Sequence, residues 1–540
     1  MAEESVAEEY DYIIVGGGSA GCCLARRLSD AGCEVLLLEA GGNDKSPLIQ
    51  TPIAFTRLMY DPKFTNLYKS EPEPHLDGRT LSLPRGRVLG GCSAINGMIY
   101  MRGQRQDYDD WAALPGCEGW DFDALLPYFK RSEDFQCGPA DDYHATGGPL
   151  CVSRVRHEYP ITEDYIAAAV SVGIPRNDDL NGATQAGIGY THVNIKDGVR
   201  HSSAAAFLTP EVRRRDNLTI TLHARVVRIR IDGGQAVGVV YRDRKGAEHE
   251  RGVRREVILS AGTYNTPPIL ERSGIGDPAV LAELGVPVTQ ALPGVGGNLQ
   301  DHYQVWCQHT VATRQTMGED GKFPRILWQV LQYAVAKKGF LGFAAANLGA
   351  FVPGADGGRP IFQIHFTPGG GSMDASGNMV ASKQSAVNST VTLLRPTSRG
   401  SVHARSTDPE DAPVICHNYL ATAHDREKSV EGFKLLRTIY AAEPFAAQAR
   451  GELLPGDGVQ TDDEILDYWK GEGMSVYHPV GTAKMGSGPD AVVDAELRVH
   501  GIAGLRVVDA SVMPLLPSGN THAPVVAIAE RAAELILSAR

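Results

Sequence analysis

The sequence predicts an α/β fold (α+β over the whole chain), with a parallel-sheet domain drawn from both chain ends. A middle domain of antiparallel sheet and helices is expected between them. Three observations carry this prediction. The run Tyr12-Ile13-Ile14-Val15-Gly16-Gly17-Gly18-Ser19-Ala20-Gly21 opens a helical pattern and is followed by a second apolar run, Val35-Leu36-Leu37-Leu38, ending in Glu39. Residues 361–367 alternate in polarity, as a strand of a two-sided antiparallel sheet does. Leu505 to Val508 then repeats the first style, a short apolar run closed by Asp509 and followed by a helix.

The first unit reads as strand, Gly-x-Gly-x-x-Gly turn, helix and strand, the Rossmann-like arrangement. Gly16 permits the tight turn, Gly18 lets backbone approach a pyrophosphate at the helix N-terminus, and Gly21 lets helix pack on sheet. Glu39 lies where a carboxylate accepts hydrogen bonds from an adenosine ribose. Correct flanks on both sides raise the motif above a chance glycine turn. By itself the fingerprint does not separate NAD from FAD, because both carry the same adenosine diphosphate half.

Further along, Arg85 to Ile99 is rich in glycine and small residues around Asn96. It reads as a segment wedged against a ligand, with the Asn96 amide available for hydrogen bonding. Strand-like runs at 218–221, 226–229 and 236–240, with Asp232-Gly233-Gly234 between the last two, predict a hairpin-rich sheet. Val257 to Thr263 reads as a buried strand, and Thr266-Pro267-Pro268 as a helix start. Residues 325–335 set Leu327, Val330, Leu331 and Ala334 on one helical face. Alternation places Gln363, His365 and Thr367 on one side of a strand, facing either substrate or solvent. Residues 368–380, rich in Gly, Ser and Asn with Met373 and Met379, read as a lid candidate. The last helix, from about Ala523, carries Val525, Ile528, Ala529, Ala532 and Leu535 on one stripe.

Bulk numbers narrow the function. At 540 residues two structural domains are the natural expectation. The net charge of −12, with 52 basic and 64 acidic residues, argues against a nucleic-acid surface. Glu3, Glu4, Glu8 and Glu9 read as a solvated, frayed terminus. Nine scattered cysteines read as reduced thiols, and no Cys-x-x-Cys or His-x-x-x-His spacing suggests a metal. No leader pattern and no apolar run of spanning length is evident, so a cytoplasmic protein without an integral membrane segment is expected.

Four further stretches carry a resemblance. They are Gly86-Arg87-Val88-Leu89-Gly90-Gly91-Cys92-Ser93-Ala94-Ile95-Asn96, Gly262-Thr263-Tyr264-Asn265-Thr266-Pro267 through Ser273-Gly274-Ile275-Gly276, Gly294 to His302, and His478-Pro479-Val480-Gly481-Thr482. With them the chain resembles the glucose–methanol–choline (GMC) family of FAD-dependent oxidoreductases, from about Asp11 to the last helix. The resemblance implies FAD. It implies that Gly16, Gly18, Ser19, Ala20 and Glu39 hold the adenosine diphosphate half and that Val226 meets adenine through its backbone. Val88, Gly91, Asn96, Gly97, Met98 and Ile99 are implied to line the ribityl chain and flavin ring, and Asp509 and Ala510 to lie near the ribitol and pyrophosphate. Residues 1–300 would form the FAD domain, with a minor insertion at about 155–200 belonging to the substrate domain. Residues 301–475 would form the substrate domain, and 476–540 the return to the FAD domain.

Departures from the family pattern also inform. Where some relatives attach FAD through a histidine, this chain has Ile95, so non-covalent binding is implied. A tryptophan common in the stretch equivalent to Phe64–Tyr68 is absent. Ala346 and His365 stand where photodecarboxylases resembling this chain carry a reactive cysteine and an arginine, which argues against that chemistry. The implied chemistry is oxidation of a small-molecule alcohol to the aldehyde by hydride transfer to flavin N5. His478 would be the general base and Asn520 would orient the substrate oxygen. His522, nearby, is expected to serve structure. Oxygen, a quinone or another acceptor would reoxidise the flavin, so oxidase and dehydrogenase both stay open, as do the substrate and the oligomeric state. The alternative reading is a hydroxynitrile-lyase-type proton-transfer enzyme with structural FAD. The phenylalanines 343, 351, 362 and 366 and Trp328 lean towards a substrate with an aliphatic or aromatic body, unless they are ordinary core.

Overall fold

The structure is a computed structural model that describes residues 9–373 and 379–539. Glu3, Glu4 and Glu8 therefore lie outside the described residues. Glu9 does not belong to a frayed tail: it opens the first strand, Glu9–Val15, and pairs with Gly252.

The first sheet runs in the order Leu218–Leu222, Val35–Glu39, Glu9–Val15, Glu248–Leu259, Gln235–Arg242, Arg225–Asp232. The first four are parallel neighbours, and the last two form an antiparallel hairpin on the N-terminal half of the long strand. Ile13, Ile14 and Leu36 to Leu38 are buried because a parallel sheet is covered on both faces. The hairpin turns at Gly233 and Gly234, both with positive φ, as a two-residue turn requires. Leu505–Val507 adds to the far end of the long strand in parallel, so the C-terminal stretch returns to the first sheet.

The helix Ser19–Asp30 and the last helix, His522–Ser538, share the core of this sheet. Small side chains at Ala20, Cys22, Cys23 and Ala25 let the first helix approach closely. Val525, Ile528, Ala529 and Ala532 of the last helix are buried in the same core. Arg27 holds Glu530 through two hydrogen bonds of 2.7 Å, and that carboxylate is wholly buried. The ion pair thus ties the two ends of the chain together.

The second sheet is antiparallel, in the order Ala449–Leu454, Tyr303–Val311, Ala386–Leu393, Gly357–Thr367, Leu348–Gly354, Gly187–Tyr190. Its core holds Phe343, Phe362 and Phe366 with the helix Ala423–Tyr440 against it. Tyr68, Leu81, Leu83 and the helix Ile161–Ser171 also pack in that core. Part of the expected lid, residues 374–378, lies outside the described residues; on either side of it, 371–373 and 379–381 pair as short strands.

Candidate active site

A cavity of about 770 Å³ is lined by residues of both sheets and of the loops that leave them. Gly16, Gly18, Ser19, Ala20, Glu39, Gly91, Asn96, Gly97, Met98, Ile99, Val226, Asp509, Ala510, His478 and Asn520 all face it. Val88 does not. Its side chain is buried in a small cluster with Ile49, Leu58, Phe64, Ala94 and Ile95, so it supports the wall from behind.

One end of the cavity is built for a dinucleotide. The helix Ser19–Asp30 starts at Gly18 with no side-chain cap, so its first-turn N–H groups and the positive end of its dipole are directed at the space lined by Gly18, Ser19 and Ala20. A Cβ on Gly21 would sit 1.9 Å from the Gly16 carbonyl oxygen, so only glycine closes this turn. Gly91, in the left-handed region at φ 54°, lies against Gly18; a Cβ there would come within 2.8 Å of its Cα. The amide of Gly90 donates to the Gly17 carbonyl (2.7 Å), which fastens the second glycine-rich loop to the first.

Glu39 Oε2 accepts from Gly17 N (2.9 Å) and Oε1 from Gly41 N (2.7 Å). Burial pushes its carboxyl up to about 7, against the pull of those two amides. Asn96 Oδ1 accepts from Met98 N and from the Arg200 guanidinium, both at 3.0 Å. Held that way, its Nδ2 has no protein partner among the described residues while the residue faces the cavity. Asp509 spends both oxygens inside the protein, on Gly262 N, Thr266 Oγ1 and Ser511. It shapes the loop more than it offers a free acceptor. An uncapped helix end, glycine contacts without room for a side chain, a ribose-type carboxylate and an aimed amide together fit FAD.

At the other end stands a chain of buried polar groups. His302 Nε2 donates to the Leu394 carbonyl (3.0 Å), because a carbonyl only accepts. Burial drives His302 down to about 4, so it is neutral at working pH and its Nδ1 carries a lone pair. That nitrogen lies 3.0 Å from His478 Nδ1, which must therefore carry the hydrogen. His478 Nε2 is left as an acceptor, 3.0 Å from Asn520 Nδ2. Burial, and next the neighbouring His302, hold His478 well below the usual imidazole range. The result is a neutral imidazole with its basic nitrogen at the cavity.

Asp301 sets this arrangement. Its Oδ1 accepts from the backbone N of both His302 (2.9 Å) and His478 (2.7 Å), and its Oδ2 from Tyr419 and Ser475 hydroxyls. Gln363 Nε2 lies 3.2 Å from His365 Nε2 and 3.5 Å from Asn520 Oδ1, which keeps the Asn520 amide turned towards His478. The alternating strand thus turns Gln363 and His365 inward, both buried, not to solvent. Sequence reasoning assigned no role to His302, Asp301 or Gln363. His302 and Asp301 sat in a recognised landmark, but their partners are some 176 residues away.

His522 also faces the cavity, with both ring nitrogens engaged: Nδ1 with Asn194 Oδ1 (3.1 Å) and Nε2 with Ser203 Oγ (2.9 Å). It is a strut. Of the aromatic residues thought to suggest a substrate body, Phe343, Phe351, Phe362 and Phe366 are buried core and Trp328 is exposed; none lines the cavity. The aromatic side chains that do are Phe55, Tyr60, Tyr264, Trp306, Phe340 and Tyr477. One cluster with metal-ligating atoms escaped the spacing test: Cys307, His309 and Glu452 place theirs within 4.8 Å of one another. Glu452 is already gripped at both oxygens by Arg437.

Comparison with known proteins decides the family. The description "GMC oxidoreductase" matches residues 10–304 for its N-terminal part and 396–529 for its C-terminal part. The chain belongs to the GMC oxidoreductase family. Curated GMC relatives are similar along their length. The alcohol dehydrogenase (acceptor) of Pseudomonas putida is 40% identical over 532 residues, covering 98% of this chain and 96% of its own. The mitochondrial choline dehydrogenase of Mus musculus is 40% identical, covering 98% and 89%. Among solved GMC-like structures, pyridoxine 4-oxidase from Mesorbium loti superposes with a TM-score of 0.87 at 34% identity, covering 97% and 98%. A fungal aryl-alcohol oxidase superposes at 0.86 and 27% identity, covering 99% and 100%. As a GMC member the chain is an oxidoreductase.

Proposed function

We propose that this protein is an FAD-dependent oxidoreductase that converts a neutral alcohol to its aldehyde, with His478 as general base. The observation that carries the proposal is the neutral His478, its Nε2 lone pair at the cavity beside the Asn520 amide. FAD, when bound, supplies the hydride acceptor. An alcohol oxygen that replaces the direct Asn520–His478 hydrogen bond gives its proton to His478 Nε2 and accepts a hydrogen bond from Asn520 Nδ2. The amide then meets the alkoxide charge that grows as hydride leaves carbon. Burial keeps water from competing for that proton, and the Nδ1–H to His302 keeps the lone pair on Nε2.

The flavin is held non-covalently in this reading. Ile95, apolar and buried, faces the cavity where some relatives have a linking histidine, and it forms no bond to an isoalloxazine. Acid precipitation should leave a colourless pellet and a yellow supernatant. A neutral substrate is favoured because, among the described residues, Glu39 and Asp509 are the only carboxylates lining the cavity, and neither is free to pair with a quaternary ammonium beside His478. Purified enzyme mixed anaerobically with a panel of alcohols should lose its flavin colour with neutral aliphatic or aromatic alcohols and far more slowly with choline. Readmitting oxygen, or adding a quinone, then identifies the acceptor. Retained colour with every alcohol, together with cleavage of a cyanohydrin, would overturn the oxidation reading.

A further inference from the structure

The helix Arg325–Ala336 is amphipathic in the reverse sense. Its buried residues are polar: Gln329 accepts from Phe340 N (3.1 Å) and Tyr333 donates to the Gly198 carbonyl (3.1 Å). Its apolar stripe faces outward, with Leu327 60% exposed, Trp328 59%, Val330 49%, Leu331 51% and Val335 79%; Phe323, just before it, is 80% exposed. Residues 327, 330, 331 and 334 share one helix face, as their spacing predicts, but that face is not core. Exposed large hydrophobics of the described residues are scattered singly elsewhere and concentrated here.

Charge tells what the stripe meets. The chain carries −12 overall, yet no acidic residue occurs from Gly321 to Ala355 while Lys322, Arg325, Lys337 and Lys338 do. Arg325, Lys337 and Lys338 are exposed and make no ion pair among the described residues. An apolar stripe with an exposed tryptophan and cations at both helix ends is the composition of a helix that lies in a lipid headgroup region. No helix of the described residues is long and apolar enough to cross a membrane, so the contact is with the surface. A second copy of this chain, related by a twofold axis at this face, would bring like charges of the same helix together with no acid from this segment to answer them.

We propose that the helix Arg325–Ala336 docks the protein onto an anionic lipid surface. The same segment forms part of the cavity wall, through Met317, Gly318, Gly321, Ile326 and Phe340. Docking therefore brings the cavity next to the lipid, where alcohols with long apolar bodies and lipid-soluble electron acceptors concentrate.

The test uses flavin-loaded protein and vesicles. The wild type should co-sediment with vesicles of phosphatidylcholine and phosphatidylglycerol in equal parts, and weakly with phosphatidylcholine alone. Lys337→Glu with Lys338→Glu should weaken binding to the anionic vesicles by about thirtyfold or more. Leu327→Gln with Trp328→Gln and Leu331→Gln should abolish it while leaving turnover of a water-soluble alcohol unchanged, since these side chains do not line the cavity. Wild-type protein that stays in the supernatant with both vesicle types would overturn the proposal. So would a dimer that Trp328→Gln converts to monomer, because the face would then belong to a second copy.

Discussion

His302 and His478 meet through their Nδ1 atoms at 3.0 Å, and only one placement of hydrogens satisfies the pair. The Leu394 carbonyl takes the His302 Nε2 hydrogen, so the hydrogen between the rings belongs to His478. His302 is thus a positioning residue that selects the tautomer of the base. Replacing it by alanine frees His478 to place its hydrogen on Nε2, facing the substrate, where it is useless as a base. Turnover in His302→Ala should fall about 10–100-fold, the usual cost of losing an orienting partner. Because His302 also depresses His478, the apparent pKa of the base in kcat/KM should rise in the variant. A loss of stability with an unmoved pH profile would leave His302 merely structural.

His478→Ala should cut kcat/KM by about 10²–10⁴-fold with FAD still bound. Asn520→Leu should cost about 10²–10³-fold, as removing a donor to a developing oxyanion does. The two should differ in pH response: raising pH should partly restore the alanine variant, for which the missing group is a base, and leave the leucine variant low. Alcohol turnover at the wild-type rate in His478→Ala would remove the proposed mechanism.

Acid should destabilise the fold. His192, His201, His302, His309, His365 and His522 are each pushed to about 4 by burial, against 6.5 when unfolded. Between those values the unfolded chain binds protons that the folded one refuses, so their contribution is complete above pH 6.5 and is lost towards pH 4. Each group removes up to about 1.4 kcal/mol per pH unit across that window. His144, between Asp179 and Glu133, is raised to about 9 and acts oppositely: its contribution is complete below pH 6.5 and lost as pH climbs to 9. With these six and the still lower His478 outnumbering His144, melting temperature should drop steeply from pH 7 to pH 5 and only gently from pH 7 to pH 9. A Tm that is flat across the acid window would refute the buried neutral histidines.

Arg27→Ala should destabilise the protein by about 3 kcal/mol, since it strips the closest partner from the buried Glu530 carboxylate. Arg131, at 3.2 Å from the same carboxylate, tempers the loss. Arg27→Ala with Glu530→Gln should recover part of it, because the buried charge is then gone. Calorimetry on the single and double variants separates the pair from ordinary packing. A double variant less stable than the single would show that the charge pair is not what binds the two helices.

Local patterns were legible. The first strand, turn, helix and second strand announce themselves because glycine spacing, apolar runs and a terminal acid are all local. The same holds for the return of the chain at Leu505 and for the buried stripe of the last helix. What stayed hidden depends on distance or on orientation. His302 and His478 are far apart in the chain, so no window contains their pairing. The period of residues 325–335 reveals a face but not its direction, and here two hydrogen bonds, one accepted by Gln329 and one donated by Tyr333, turn the polar side inward. Val88 looked like ligand wall and is support, because a glycine-rich loop leaves open which side of the backbone meets the cavity.

Asp301 grips two neighbouring segments by their main-chain amides, while the two imidazole rings are held by other groups. Scaffold and reagent are therefore separable at this place. Exchanging either ring for another acid–base group would alter the reaction without unpinning the loops that present it. A site organised this way can be retuned, by selection or by hand, at its two coupled rings without disturbing its loops.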